Sequence, residues 1–159
     1  MKKIKKIIIG IISLIVAPII IIMLLLYQPV YKTDTVVFIT DKGEVPVTVE
    51  IADTPAKHAR GLMNRSEMDY NSGMLFIFGN EATRSFWMKN TLIPLDMIFI
   101  DSNYKIVNIT KQAQPCKTIA CEFYPSGVPA AYVVEVNGGF VDEKGIKIGD
   151  EIKVEMFEN

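Results

Sequence analysis

Twenty-one consecutive residues without a charge, Ile7 to Tyr27, follow the basic tip Met1-Lys2-Lys3-Ile4-Lys5-Lys6, and Gly10, Ser13 and Pro18 are the only breaks in this run. At about 1.5 Å per residue, a helix of this length spans roughly 30 Å, the thickness of a bilayer's hydrocarbon layer. No side of the run is polar, which separates it from an amphipathic helix of a soluble fold. A cleavable signal peptide carries a shorter apolar stretch and a small-x-small cleavage site, whereas this run ends in Leu26-Tyr27-Gln28-Pro29. The expectation is an uncleaved signal anchor over 7–27, with a cleaved signal as the alternative. Lysines stay cytoplasmic and Tyr27 suits the interface, which predicts a single-pass protein of the cytoplasmic membrane with the chain beyond a linker at 28–34 outside the cytoplasm.

Charge separates the two parts. Four of the 17 Lys and Arg lie in residues 1–6 and none of the 18 Asp and Glu precedes residue 28, so the exported part carries 13 bases against 18 acids, about −5. That balance argues against nucleic acid as a partner. With one His and two Cys in the chain, a His-rich metal centre, a four-cysteine zinc ribbon and a four-cysteine iron–sulfur cluster are excluded. No metal and no cofactor is assigned.

Residues 35–159 read as one β domain. Thr35–Thr40 and Val45–Ala52 are β-rich runs joined by Asp41-Lys42-Gly43-Glu44, a hairpin signature. Thr54-Pro55 supplies an N-cap and a first-turn proline, predicting a short helix from Pro55 to about Leu62. Further strands are expected at 74–78, 85–90, 95–101, 104–110, 131–136 and 151–157, separated by Asp101-Ser102-Asn103, Asn137-Gly138-Gly139, Gly145 and Gly149-Asp150. About eight short strands with one or two helical turns predict a β-sandwich or small barrel.

Cys116 and Cys121, with four residues between them and in an oxidising compartment, are read as a disulfide that shapes a local loop. A redox-active pair is the alternative, although the tighter Cys-x-x-Cys at a helix N-terminus is absent. Asp96 alone interrupts the apolar run Leu92–Ile100, and Glu135 alone breaks Ala131–Val136. A buried carboxylate needs a cation or several donors, so the two are structural anchors, with Arg60, Arg84 or Lys89 as partners, or an acid/base pair of a hydrolase. Ser85-Phe86-Trp87-Met88-Lys89-Asn90-Thr91 holds the only Trp beside a cation and amide or hydroxyl groups. Alternation places Trp87, Lys89 and Thr91 on one face. That combination suits a sugar or peptide cleft, and equally a core Trp near a solvated strand end. The six methionines beyond the anchor are scattered, as core fillers are, and not clustered as copper ligands would be. His58 is expected at the surface.

Thr54-Pro55-Ala56-Lys57-His58-Ala59-Arg60-Gly61-Leu62-Met63-Asn64-Arg65, Gly73-Met74-Leu75-Phe76-Ile77-Phe78 and Phe86-Trp87-Met88-Lys89-Asn90-Thr91-Leu92-Ile93-Pro94-Leu95-Asp96 together resemble domain-of-unknown-function family 192. The likeness continues through Pro115-Cys116, Cys121, Tyr124-Pro125-Ser126, Tyr132 to Gly139 and Gly145 to Asp150, covering roughly residues 35 to 157. Gly138 stands where many members have Ala, which should leave the turn intact. The resemblance implies a mostly antiparallel sandwich or jelly-roll exported behind a signal or anchor. It carries no agreed activity, so no catalytic role passes to any residue. The residues themselves point to a membrane-anchored extracytoplasmic binding module for a small ligand, saccharide or peptide, at a cleft formed by Arg60, Trp87, Lys89, Asn90, Asp96 and Glu135. A hydrolase using Asp96 and Glu135, and a structural partner of an envelope protein docked through the cysteine loop, are the rivals.

Overall fold

Valines, isoleucines and threonines set the first hairpin, which the computed structural model places as expected. Strand β1 (Thr33–Thr40) pairs antiparallel with β2 (Gly43–Ala52). Gly43 turns the chain at φ +119, a conformation open to glycine. Val36 and Phe38 on β1 and Val47, Val49 and Ile51 on β2 are buried at every second position, so one face of the hairpin is core. The first strand begins inside the expected linker, at Thr33, because Thr33 and Asp34 still find partners in Glu50 and Val49.

The structure describes residue 14, residues 16–22 and residues 30–155. Residue 14 and residues 16–22 are helical, and Ile19 to Ile22 expose about half their surface. Among the described residues no helix is long and apolar enough to cross a membrane. The tip 1–6, most of the expected anchor over 7–27, residues 28 and 29 of the linker and the expected strand end at 156 and 157 lie outside the described residues. The chain divides into two units, residues 1–30 and 31–159, and the β fold is the second.

Helix α1 (Pro55–Arg60) starts as its cap predicts, with the Thr54 hydroxyl accepting from the Lys57 amide at 3.4 Å and Pro55 in the first turn. It stops two residues short of Leu62, where Gly61 takes φ +47. The expected strands at 74–78 and 85–90 are one strand, β3 (Ser72–Trp87), which shifts register between Ile77 and Ala82 and again before Ser85. It ends before the predicted Asn90, which is left-handed at φ +56. Then follow β4 (Leu95–Ile100), β5 (Ile106–Ala113), the long β6 (Phe123–Asn137), α2 (Phe140–Lys144) and β7 (Glu151–Val154).

Among the described residues seven strands join one mixed sheet in the order β5-β4-β6-β3-β2-β1-β7. Only β2 and β3 run parallel, because α1 and the loop after it carry the chain back across the sheet between them. The sheet curls until its edges meet. Lys105 bridges Glu151, the Ile106 amide donates to the Asp150 carbonyl at 2.8 Å, and the Ile152 amide donates to the Tyr104 carbonyl at 2.9 Å. The expected sandwich or jelly-roll of antiparallel sheets is thus corrected to one curled mixed sheet: among the described residues every strand hydrogen-bonds to that sheet and none is left to build a second layer.

The curl encloses an inner core that includes Val36, Phe38, Val49, Ile98, Val134 and Phe140. A second core covers the outer face of β3, β4 and β6, where Leu62 and Met88 pack on Met74, Phe76, Met97, Phe99 and Val133. All six residues of β4 are therefore buried, Leu95, Met97 and Phe99 outward and Ile98 and Ile100 inward. This is why the strand reads as an apolar run that Asp96 alone interrupts. Met74, Met88 and Met97 serve as core fillers.

Candidate functional site

Asp96 stands opposite Val136 in the ladder and shares the inner face with Ile98 and Ile100. Its carboxylate is fully buried and accepts three backbone hydrogen bonds, from the Gln112 amide at 2.8 Å, the Gly139 amide at 3.0 Å and the Val141 amide at 2.9 Å. The expected cationic partners are elsewhere. The Arg84 guanidinium lies over the Phe78 ring at 4.0 Å and donates to the carbonyls of Ala130 and Asn80, and Lys89 lies over Trp87. Asp96 is an anchor that ties β4 to the end of β5 and to the start of α2, and it leaves the candidate cleft.

Glu135 stands opposite Met74 and Met97, one residue out of step with Asp96, and so faces the outer core. The sheet separates the two carboxyls, and they cannot flank one scissile bond. Glu135 is 4% exposed, and no hydrogen bond or ion pair reaches its carboxyl from the described residues. Burial pushes its pKa up to about 8. A small cavity of about 30 Å³ opens beside it, walled by Leu62, Met63 and Phe76 and bordered by His58, Arg60 and Thr91. Arg60 is engaged in a contact of its own. The imidazole of His58, expected at the surface, is half-buried: Nε2 lies 2.9 Å from the Ala52 carbonyl and 3.1 Å from that of Ile77, so this nitrogen carries the proton and pins α1 to the sheet. Its ring packs on Phe78, 4.6 Å between centroids.

Trp87 also borders this cavity, at the end of β3. It is 40% exposed and stacks on Phe123, the facing residue of β6, which is 59% exposed; the centroids are 5.8 Å apart and the planes 14° from parallel. Lys89 Nζ lies 5.2 Å from the indole centroid. Asn90 shapes the rim through its backbone, donating to the Cys116 carbonyl at 2.7 Å and accepting from the Asn64 amide at 2.8 Å. Cys116 and Cys121 form the disulfide that the sequence suggests, and Cys116 bridges Lys89, so the stapled loop lies against the end of the aromatic strand. Ile119, in that loop, is 96% exposed. Of the six expected cleft residues, Arg60, Trp87 and Glu135 line one cavity, Lys89 covers the indole, Asn90 acts through its main chain and Asp96 is on the other face. Phe123 was not anticipated. Its position follows from the β3–β6 register, which no local pattern encodes.

A larger groove of about 420 Å³ lies over the start of the β2–β3 pair, lined by Glu50, Arg65, Glu67 and Asp69 among others. Its chief charges satisfy each other: both Arg65 terminal nitrogens meet the Glu50 carboxylate at 2.6 Å. The smaller cavity, with an unpartnered acid and an exposed aromatic pair, carries more chemistry despite its size. Among the described residues no group of three or more His, Cys, Asp or Glu could hold a metal ion.

The fold is a curled mixed sheet with Trp87, Lys89, Asn90 and Thr91 grouped at the end of β3. The chain belongs to the DUF192 family, described as Uncharacterized ACR, which matches residues 37–154. It is similar to a UPF0127 protein of Thermococcus sibiricus, 36% identical over 112 residues, covering 69% of this chain and 68% of the relative. The crystal structure of a candidate transcription regulator from Sinorhizobium meliloti matches with a TM-score of 0.75 at 38% identity, covering 81% of this chain and 98% of that one. A protein of unknown function from Novosphingobium aromaticivorans matches with a TM-score of 0.72 at 32% identity, over 80% and 94% of the two chains.

Proposed function

We propose that this chain is a membrane-anchored extracytoplasmic binding module whose ligand, an envelope saccharide or extended peptide, rests on the Trp87–Phe123 pair beside the Glu135 cavity. The observation that carries the reading is the exposure of two stacked aromatic rings next to a cavity with an unpartnered polar group. Large rings left in solvent cost hydrophobic free energy, and such a platform beside directional polar groups is what ligand clefts use. The uncharged run 7–27 behind a lysine tip supports the anchor, and the acidic balance of the exported part speaks against nucleic acid. A hydrolase built on Asp96 and Glu135 is set aside, since the two carboxyls occupy opposite faces.

Trp87 is the only tryptophan, so its emission reports on the platform alone. The full chain in detergent micelles, titrated with saccharide and peptide fractions of a cell envelope, should show a saturable shift. Calorimetry on Trp87→Ala should then find the affinity weakened by about tenfold or more. No shift with any fraction would overturn the reading. The exposed Ile119 in the stapled loop favours a second one, a protein partner in the envelope: crosslinking in membranes should then capture one stoichiometric protein that an Ile119→Asp chain loses.

A further inference from the structure

The cavity beside Glu135 holds two kinds of surface. Leu62, Met63 and Phe76 are apolar, while the carboxyl of Glu135 and the buried Thr91 are polar. Its volume of about 30 Å³ admits roughly two water-sized groups, given that one water needs about 10–15 Å³. The titratable and charged groups around it are His58 and Arg60 from α1 and Lys89 beyond Trp87. The flanking strand residues, Met74 and Met97, carry no charge. A cationic ligand group would therefore meet like charge at the rim. A buried carboxyl with no cation holds its proton and becomes a strong O–H donor in search of an acceptor.

The matching ligand group has one good acceptor oxygen, one small apolar substituent and no charge. An acetamido group meets all three conditions: its carbonyl accepts from the Glu135 O–H and its methyl meets the Leu62, Met63 and Phe76 wall. A hydroxymethyl group lacks the methyl, and an ammonium group lacks the acceptor. We propose that this cavity seats the acetamido group of an N-acetylated saccharide whose ring lies on the Trp87–Phe123 platform. The inference rests on the binding-module reading and names its ligand class.

The full chain in detergent micelles would be titrated, with Trp87 emission as readout, against four probes: an N-acetylglucosamine trimer, the deacetylated glucosamine trimer, cellotriose and trialanine. The N-acetylated trimer should bind at least about tenfold more tightly than the other three, a difference worth about 1.4 kcal/mol. Its affinity should fall about tenfold between pH 7 and pH 9 as Glu135, with its pKa near 8, loses the donated proton. Glu135→Gln keeps an N–H donor and should bind with no such pH dependence, whereas Glu135→Leu should lose binding by about tenfold. Equal binding of cellotriose, tightest binding of the glucosamine trimer or trialanine, or full affinity in Glu135→Leu would each overturn the assignment. In the first case, and in Glu135→Leu with full affinity, the platform reading survives. Silence from all four probes and from envelope fractions removes both.

Discussion

Asp96 and Glu135 are neighbours across one ladder with opposite fates. The first collects three main-chain amides and the second collects none, so one is satisfied by the backbone and the other is held as a neutral acid. Removing the Asp96 carboxylate strands three backbone donors, the Val141 amide fully buried and those of Gln112 and Gly139 partly so. Asp96→Ala should cost about 3–5 kcal/mol in urea unfolding, and Asp96→Asn roughly 1–3, with ligand affinity per folded molecule unchanged. Glu135 shapes the pH profile of stability in the reverse sense to an ion-paired acid. Its folded pKa, near 8, lies above the ordinary 4.5, so between these values the folded chain holds a proton that the unfolded chain has released. Stability should therefore fall as pH rises from about 4.5 to about 8, with a slope of up to about 1.4 kcal/mol per pH unit from this group, and Glu135→Gln should abolish that component. A wild-type chain whose unfolding midpoint shows no greater pH dependence than the variant's over this range would contradict the burial argument.

At the scale of the element, locally encoded features were legible. The Asp41-Lys42-Gly43-Glu44 turn, the Thr54 cap, the two-sided burial of β4 and the cysteine staple each rest on a few consecutive residues. Strand length was not. β3 continues from Ser72 to Trp87 through Gly79, Asn80 and Glu81, which read as a loop, because β6 supplies a partner ladder on both sides of the irregularity. The disulfide closes a loop only six residues long, so in the chain-entropy picture its reduction should cost no more than about 2 kcal/mol and leave the sheet folded. Thermal unfolding with and without reductant should show a single transition shifted downward. New proteolytic cleavage should appear only within 116–121, and cleavage inside the strands on reduction would mean that the staple holds more than its own loop.

At the scale of the whole molecule, the bonds between the start of β5 and β7 cover part of the two edges that an open seven-stranded sheet would present for aggregation. The seam should then belong to the global unfolding unit. The amides of Ile106, Gly149 and Ile152, which make the seam bonds, should exchange with solvent as slowly as those in β4, and Ile152→Ala should cost about 2–5 kcal/mol although it stands on the shortest strand. Fast exchange there would mark the seam as frayed. The sequence alone determined the β content, the hairpin, the capped helix, the cysteine pair and the family likeness, because turn chemistry, alternation and composition act within a few residues. Tertiary structure decided which carboxyl is satisfied, which face each occupies, that Phe123 meets Trp87 and that one sheet closes in place of two. Those outcomes depend on register, where a shift of one residue exchanges the faces, and on donors from residues 112, 139 and 141, far along the chain from the acid they serve.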